Sequence, residues 1–222
     1  REIMIDAREK APAAATRDMF LGPDGNPVPG LSLNSALAAG IAGEPAGMER
    51  LVHEYGRLPL AVSLAPAIRL AHEGFAVGPH LRAVIERKRD VFAKQKDVAK
   101  TWLRDGKAPP LGTVIRQPQL ARTLETLSRN GLRDFYEGEI ARKLVAGVRK
   151  LGGIWTAADL AAYRIVERAP IVGEYRGARI VSAPPPSSGG IVLMEALNIL
   201  SGYDLAQLDS ATRKHLIAAS MR

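Results

Sequence analysis

The first apolar run of the chain is only three residues long. Ile3, Met4 and Ile5 are followed by the charged turn Arg8-Glu9-Lys10 and by Pro12, which predicts a strand over 2–7. The stretch GPDGNPVPGLSLN, 22–34, is so rich in glycine and proline that it reads as loop. SALAAGIAGEPAG, 35–47, is small and apolar and suits a strand or turn packed closely on another backbone. Helical spacing starts at Pro45, where Met48, Leu51, Val52 and Tyr55 fall on one face and Gly56 ends the run. A second helix is expected from Leu60 to His72, through Leu64, Ile68 and Leu70. A third should run unbroken from about His80 to Lys100.

RDGKAPPLGTVIRQPQ is the second long loop. After it, Gln119–Arg129 carries Leu120, Leu124 and Leu127 on one helical face. The next helix, 138–150, is built on Ile140, Leu144, Val145 and Val148, and Gly152-Gly153 ends it. Thr156 with Asp159 three residues on has the form of a capping box. IVGEYRGARIVSA reads as two strands around a turn at Arg176-Gly177, and PPPSSGG leads into a helix over about 190–200. No repeat, low-complexity tail or linker divides the chain. The pattern is that of one mixed α/β domain, 1–222, with its strands mostly at the two ends.

Composition changes this picture little. With 222 residues, 46% hydrophobic and 24% charged, the chain has the make-up of a folded globular protein. No stretch approaches the ~20 apolar residues of a membrane span, so none is expected. Cysteine is absent, which excludes disulfides and thiolate chemistry within these residues. The net charge of +8 raises nucleic-acid binding, and the basic run RAVIERKRDVFAKQKDVAK is where it would reside. Only Phe92 offers a stacking ring there, so a solvated helix with ion pairs such as Glu86–Arg89 fits better. No nucleic-acid partner is expected.

Candidate chemistry is sparse. His53, His72, His80 and His215 stand in no metal-ligand spacing and read as surface or packing residues. No G-x-S-x-G pentapeptide occurs. Ser188, ahead of Gly189-Gly190, is either a plain helix cap or the rim of an anion-binding helix N-terminus. Taken alone, the residues give no catalytic group, no metal site and no cofactor.

Resemblance carries further. IDAREKAPAAATRDMFL resembles the strand and turn of the large subunit of γ-glutamyltransferases. The likeness continues in family order through EYGRLPLAVSLAPAIRLAHEGF, QPQLARTLETLSRNGLRDFYEGEIARKLV, GGIWTAADLAAYRIVERAPIVGEYRG and PPPSSGGIVLMEALNILSGYDL. Two places depart from the pattern: Ile41-Ala42-Gly43-Glu44-Pro45, where relatives carry a Val-Pro-Gly-Thr-type turn, and Ala219, where many carry glutamate.

The resemblance implies the αββα four-layer sandwich of N-terminal-nucleophile hydrolases, this chain being a helix-rich interior piece of the large subunit. An N-terminal segment and the small catalytic subunit would lie outside it. It further implies a zymogen whose self-cleavage exposes an N-terminal threonine, the nucleophile, using its own α-amine as base. The reaction would be γ-glutamyl transfer from glutathione or related donors to water or an amino acid, in a periplasmic or secreted protein. Arg8 would be the substrate-binding residue, because a planar guanidinium meets both oxygens of the donor's α-carboxylate. Glu9 would hold Arg8 or pair locally, and Arg17 with Asp18 would brace the loop. A glutaryl-cephalosporin acylase of the same fold and a non-catalytic scaffold relative are the alternatives. Strand 2–7 is expected to lack its hairpin partner and to expose an unpaired edge.

Overall fold

A computed structural model of the chain describes residues 2–221. In chain order these form β1 (Met4–Asp6), α1 (Leu31–Asn34), a 3-10 turn (Ala36–Ala38), α2 (Glu44–Glu54) and α3 (Leu60–Glu73). Next come β2 (Phe75–Ala76), α4 (Pro79–Ala93), α5 (Lys96–Trp102), β3 (Val114–Ile115), α6 (Pro118–Asn130) and α7 (Asp134–Glu137). The last elements are α8 (Glu139–Lys150), α9 (Ala157–Ala161), β4 (Val166–Arg168), β5 (Ile171–Tyr175), β6 (Ala178–Ser182), α10 (Gly189–Ser201) and α11 (Ser210–Ser220). They gather into two compact units, one of residues 8–164 and one of 1–7 with 165–222.

The larger unit is helical with one small sheet. Helices α2, α4 and α6 each start at a proline in the first turn, where the missing amide has no intrahelical role. Leu127, Leu132 and Ile140 form one buried cluster, covered by Leu60, Leu64, Phe135 and Leu144. A second holds Val77, Ile85, Leu103, Ala108 and Ile115. The second cluster explains a correction. The unbroken helix expected over 80–100 is two helices, because Gln95 adopts an extended conformation (φ −118°, ψ 107°). A straight helix would carry Ala99 roughly 21 Å along its axis from Ile85. The break instead returns Ala99 and Trp102 to the cluster that holds Ile85 and that Phe92 also covers.

One expected face is not core: Met48 and Leu51 of α2 are exposed, as is Tyr55 just after it. On α3 Leu64 packs on the first cluster as expected, while Leu70 is exposed. In α2 the buried residues are Ala46 and Gly47, and the Ala46 amide donates to the hydroxyl of Tyr136. The loop expected between Arg104 and Gln119 contributes β3, which pairs antiparallel with β2 through Phe75↔Ile115 and Ala76↔Val114.

In the smaller unit β1 has a partner after all, which corrects the expectation of a strand left without one. It pairs antiparallel with β4 (Met4↔Arg168, Ile5↔Glu167, Asp6↔Val166), so the partner comes from a distant segment rather than a hairpin. Asp6 accepts from Arg168 at 2.8 Å across this pair. β5 and β6 form the expected hairpin, and both turn residues, Arg176 (φ 51°) and Gly177 (φ 79°), have the positive φ that two-residue hairpins require. α10 packs on β5 so closely that a Cβ on Gly173 would lie 1.9 Å from Cε of Met194.

Candidate functional site

The site begins with the turn after β1. Arg8, Glu9 and Lys10 are exposed, and the Arg8 side chain is 57% accessible. Nε of Arg8 stands 3.7 Å from Oε1 of Glu9, the local pairing anticipated for Glu9. Arg17 and Asp18 also pair, at 3.9 Å, but their side chains are 96% and 71% accessible. An ion pair so wet contributes little.

The backbone beneath Arg8 is tied at three points. Its carbonyl accepts a 2.6 Å hydrogen bond from the hydroxyl of Tyr163. Lys10 exchanges both backbone hydrogen bonds with Ile41, at 3.1 and 2.7 Å. The amide of Ala13 donates to Oδ1 of Asp159 at 2.8 Å. Gly40 sits close to this segment: a Cβ there would lie 3.0 Å from Cγ of Glu9.

Asp159 does two things at once. Its Oδ2 accepts from the amide and hydroxyl of Thr156, completing the capping box of α9 that the sequence predicts. The Ala13 amide above all, together with Thr156, holds its carboxyl below the usual carboxylate range. Helix α9 in turn delivers Tyr163, which is 2% exposed.

Tyr163 stacks on Tyr136, with ring centroids 5.5 Å apart and planes 13° apart. Nζ of Lys10 lies 5.1 Å from the Tyr163 ring centroid and donates to the Arg164 carbonyl at 3.0 Å. Tyr136 is anchored by its hydroxyl, which donates to the Ala42 carbonyl (2.9 Å) and accepts from the Ala46 amide (3.1 Å). Burial pushes its phenol up to about 12. The Ala42 carbonyl and the Ala46 amide, at the entry of α2, thus hold Tyr136. Neither tyrosine is conspicuous in the sequence; the only signal was a Tyr shortly after a well-capped helix.

The remaining candidates are dispersed. All four histidines are exposed, and His72 pairs with Glu125 at 2.7 Å. No cluster of three metal-ligating side chains occurs among the described residues. Ser188 makes no side-chain cap at α10, so the plain-cap reading fails. Gly190 is fixed by packing, because a Cβ there would lie 2.1 Å from the Ala183 carbonyl oxygen. Arg89 meets Glu86 at 3.3 Å, the ion pair expected on the basic helix. Surface grooves of about 540 and 620 Å³ flank α6, and Arg8 lines neither. No helix among the described residues is long and apolar enough to cross a membrane.

Comparison with known proteins bears on what this arrangement serves. The family model described as gamma-glutamyltranspeptidase matches residues 2–222. The chain belongs to that family. It is 42% identical over 202 residues to the glutathione hydrolase proenzyme of Escherichia coli K12, covering 90% of this chain and 35% of that protein. Among solved structures, that of Helicobacter pylori gamma-glutamyltranspeptidase superimposes with a TM-score of 0.92 at 38% identity, over 98% of this chain and 63% of that one. The acylase ACY 1 proenzyme of Pseudomonas sp. SE83 is 34% identical over the whole chain and 41% of its own length. The chain therefore spans little more than a third of the curated relatives it matches. Its fold is that of this family of N-terminal-nucleophile hydrolases, of which the described residues carry a mixed α/β, helix-rich part.

Proposed function

We propose that this chain is the large-subunit portion of a γ-glutamyltransferase (glutathione hydrolase), and that Arg8 clamps the α-carboxylate of γ-glutamyl donors. The observation that carries the reading is the state of Arg8. Its side chain is 57% accessible and pairs with Glu9 at 3.7 Å, while the backbone that bears it is tied at residues 8, 10 and 13. An exposed cation on a fixed stem suits capture of a small anion. Two parallel N–H donors match a carboxylate in the plane of the guanidinium.

The clamp would act at a distance from the chemistry. Binding energy gained at the α-carboxylate orients the γ-amide against the nucleophile. That nucleophile is proposed to be the N-terminal threonine of a small subunit cut from the same precursor. Its hydroxyl oxygen would bond to the γ-carbonyl carbon, its α-amine would take the proton and pass it to the amide nitrogen, and the C–N bond would break to release the amine portion of the donor. Water or an amino acid would then cleave the γ-glutamyl ester. A periplasmic or secreted location follows from the same reading.

The acylase relative supports a second reading, since a glutaryl side chain also ends in a carboxylate that Arg8 would hold. Assay of the matured protein on a γ-glutamyl anilide and on a glutaryl-cephalosporin separates them. Release of the aniline without deacylation of the cephalosporin supports the transferase; the reverse pattern overturns it.

A further inference from the structure

We infer that Tyr163 is a positioning residue for donor binding, acting through the carbonyl of Arg8. The inference rests on the reading of Arg8 as the carboxylate clamp. Arg8 directly follows the strand-bearing segment 1–7 of the smaller unit. Within residues 8–164 its own carbonyl is held at 2.6 Å by a buried phenol 155 positions away. A hydrogen bond to the carbonyl of the very residue that carries the guanidinium limits rotation of the adjoining peptide plane, and so limits where Cα and Cβ of Arg8 point.

The phenol is itself immobilised from three sides. Its ring stacks on Tyr136, whose hydroxyl is fixed between Ala42 and Ala46. Lys10 lies over the ring and reaches the carbonyl of Arg164, the next residue in the chain. The capping box of α9, which precedes Tyr163, also grips Ala13 at the far end of the same segment. Residues 156–163 thus hold the Arg8 segment at both ends. A bidentate clamp tolerates little angular error, so loss of the Tyr163 hydroxyl should weaken carboxylate capture while leaving the acyl-transfer step alone.

The test uses the complete, matured protein and the variants Tyr163→Phe, Arg8→Ala and the double variant. Phenylalanine keeps the stacked ring and removes only the donor. Tyr163→Phe should raise KM for a γ-glutamyl anilide about three- to tenfold, with kcat within twofold of wild type. In the Arg8→Ala background the same change should raise KM no further, because the group it positions is gone. An unchanged KM in Tyr163→Phe, or an equal rise in both backgrounds, overturns the inference. Arg8→Ala distinguishes the two levels. If it leaves KM intact, the clamp reading fails and the inference with it. If it raises KM while Tyr163→Phe does not, only the inference fails. Should Tyr163→Phe not mature, Asp159→Ala loosens the other end of the segment and must raise KM for the anilide in the same Arg8-dependent way; a KM equal to wild type then overturns the inference.

Discussion

Asp159 reaches across 146 residues of sequence to hold the amide of Ala13 at 2.8 Å, while capping its own helix through Thr156. One carboxylate therefore fixes both the entry of α9 and the far end of the Arg8 turn. Because these bonds favour the ionised form, its folded pKa lies below the unfolded value. The stabilisation is then complete above about pH 4 and is lost as pH falls through the depressed folded value. Asp159→Ala should cost about 1–2 kcal/mol in urea denaturation near neutrality. It should also flatten the acid limb of the stability curve, and an acid limb identical to wild type would show that the carboxylate carries no such linkage.

Tyr136 makes the opposite pH prediction. Its buried phenol is pushed up to about 12, so the neutral form is the one that folding favours. Its contribution is intact below about pH 10 and disappears as pH rises through 12. Tyr136→Phe should cost about 1–3 kcal/mol at neutral pH, because the Ala42 carbonyl and Ala46 amide lose their partner. Wild type should lose stability between pH 10 and 12 more steeply than the variant, as followed by near-ultraviolet circular dichroism. Parallel alkaline curves would contradict the assignment.

Gly173 and Gly190 are both crowded, but by different neighbours. A Cβ at Gly173 meets the flexible end of Met194, which can swing aside. A Cβ at Gly190 meets the backbone oxygen of Ala183 at 2.1 Å, which cannot move without shifting the segment that leads into α10. Gly190→Ala should therefore destabilise by about 1–3 kcal/mol, and Gly173→Ala by clearly less. Equal losses in thermal melting would mean that the two contacts are equally rigid.

What the sequence disclosed followed its strongest periodicities. The helices at 60–73, 118–130 and 139–150 and the hairpin around Arg176-Gly177 appear within a residue or two of expectation. Each carries either a regular apolar spacing or a turn residue that punctuates it. The Thr156/Asp159 capping box was legible because its two bonds are local. The break at Gln95 was not, because no glycine or proline marks it; the demand comes from a cluster assembled by residues 77 to 115. β4, with the sequence Val-Glu-Arg, has too few residues to show alternation, and its partner, Met4–Asp6, lies at the other end of the chain. Arg8 emerged only through resemblance, since periodicity cannot separate a surface arginine from a clamp. Tyr163 and Tyr136 escaped both routes, as their importance lies in what their hydroxyls touch.

The measurement closest to the central claim is donor kinetics of the complete, matured protein with Arg8→Lys and Arg8→Ala. Lysine replaces a two-point contact by a point charge and should raise KM for γ-glutamyl donors. Alanine should do worse, lowering kcat/KM about 10- to 150-fold, equivalent to roughly 1.5–3 kcal/mol for a lost charged hydrogen bond. Donors without an α-carboxylate should be poor with wild type and no poorer with Arg8→Ala, and precursor cleavage should proceed, as its scissile bond presents no such carboxylate. A normally matured Arg8→Ala protein with undiminished kcat/KM on γ-glutamyl donors would contradict the account.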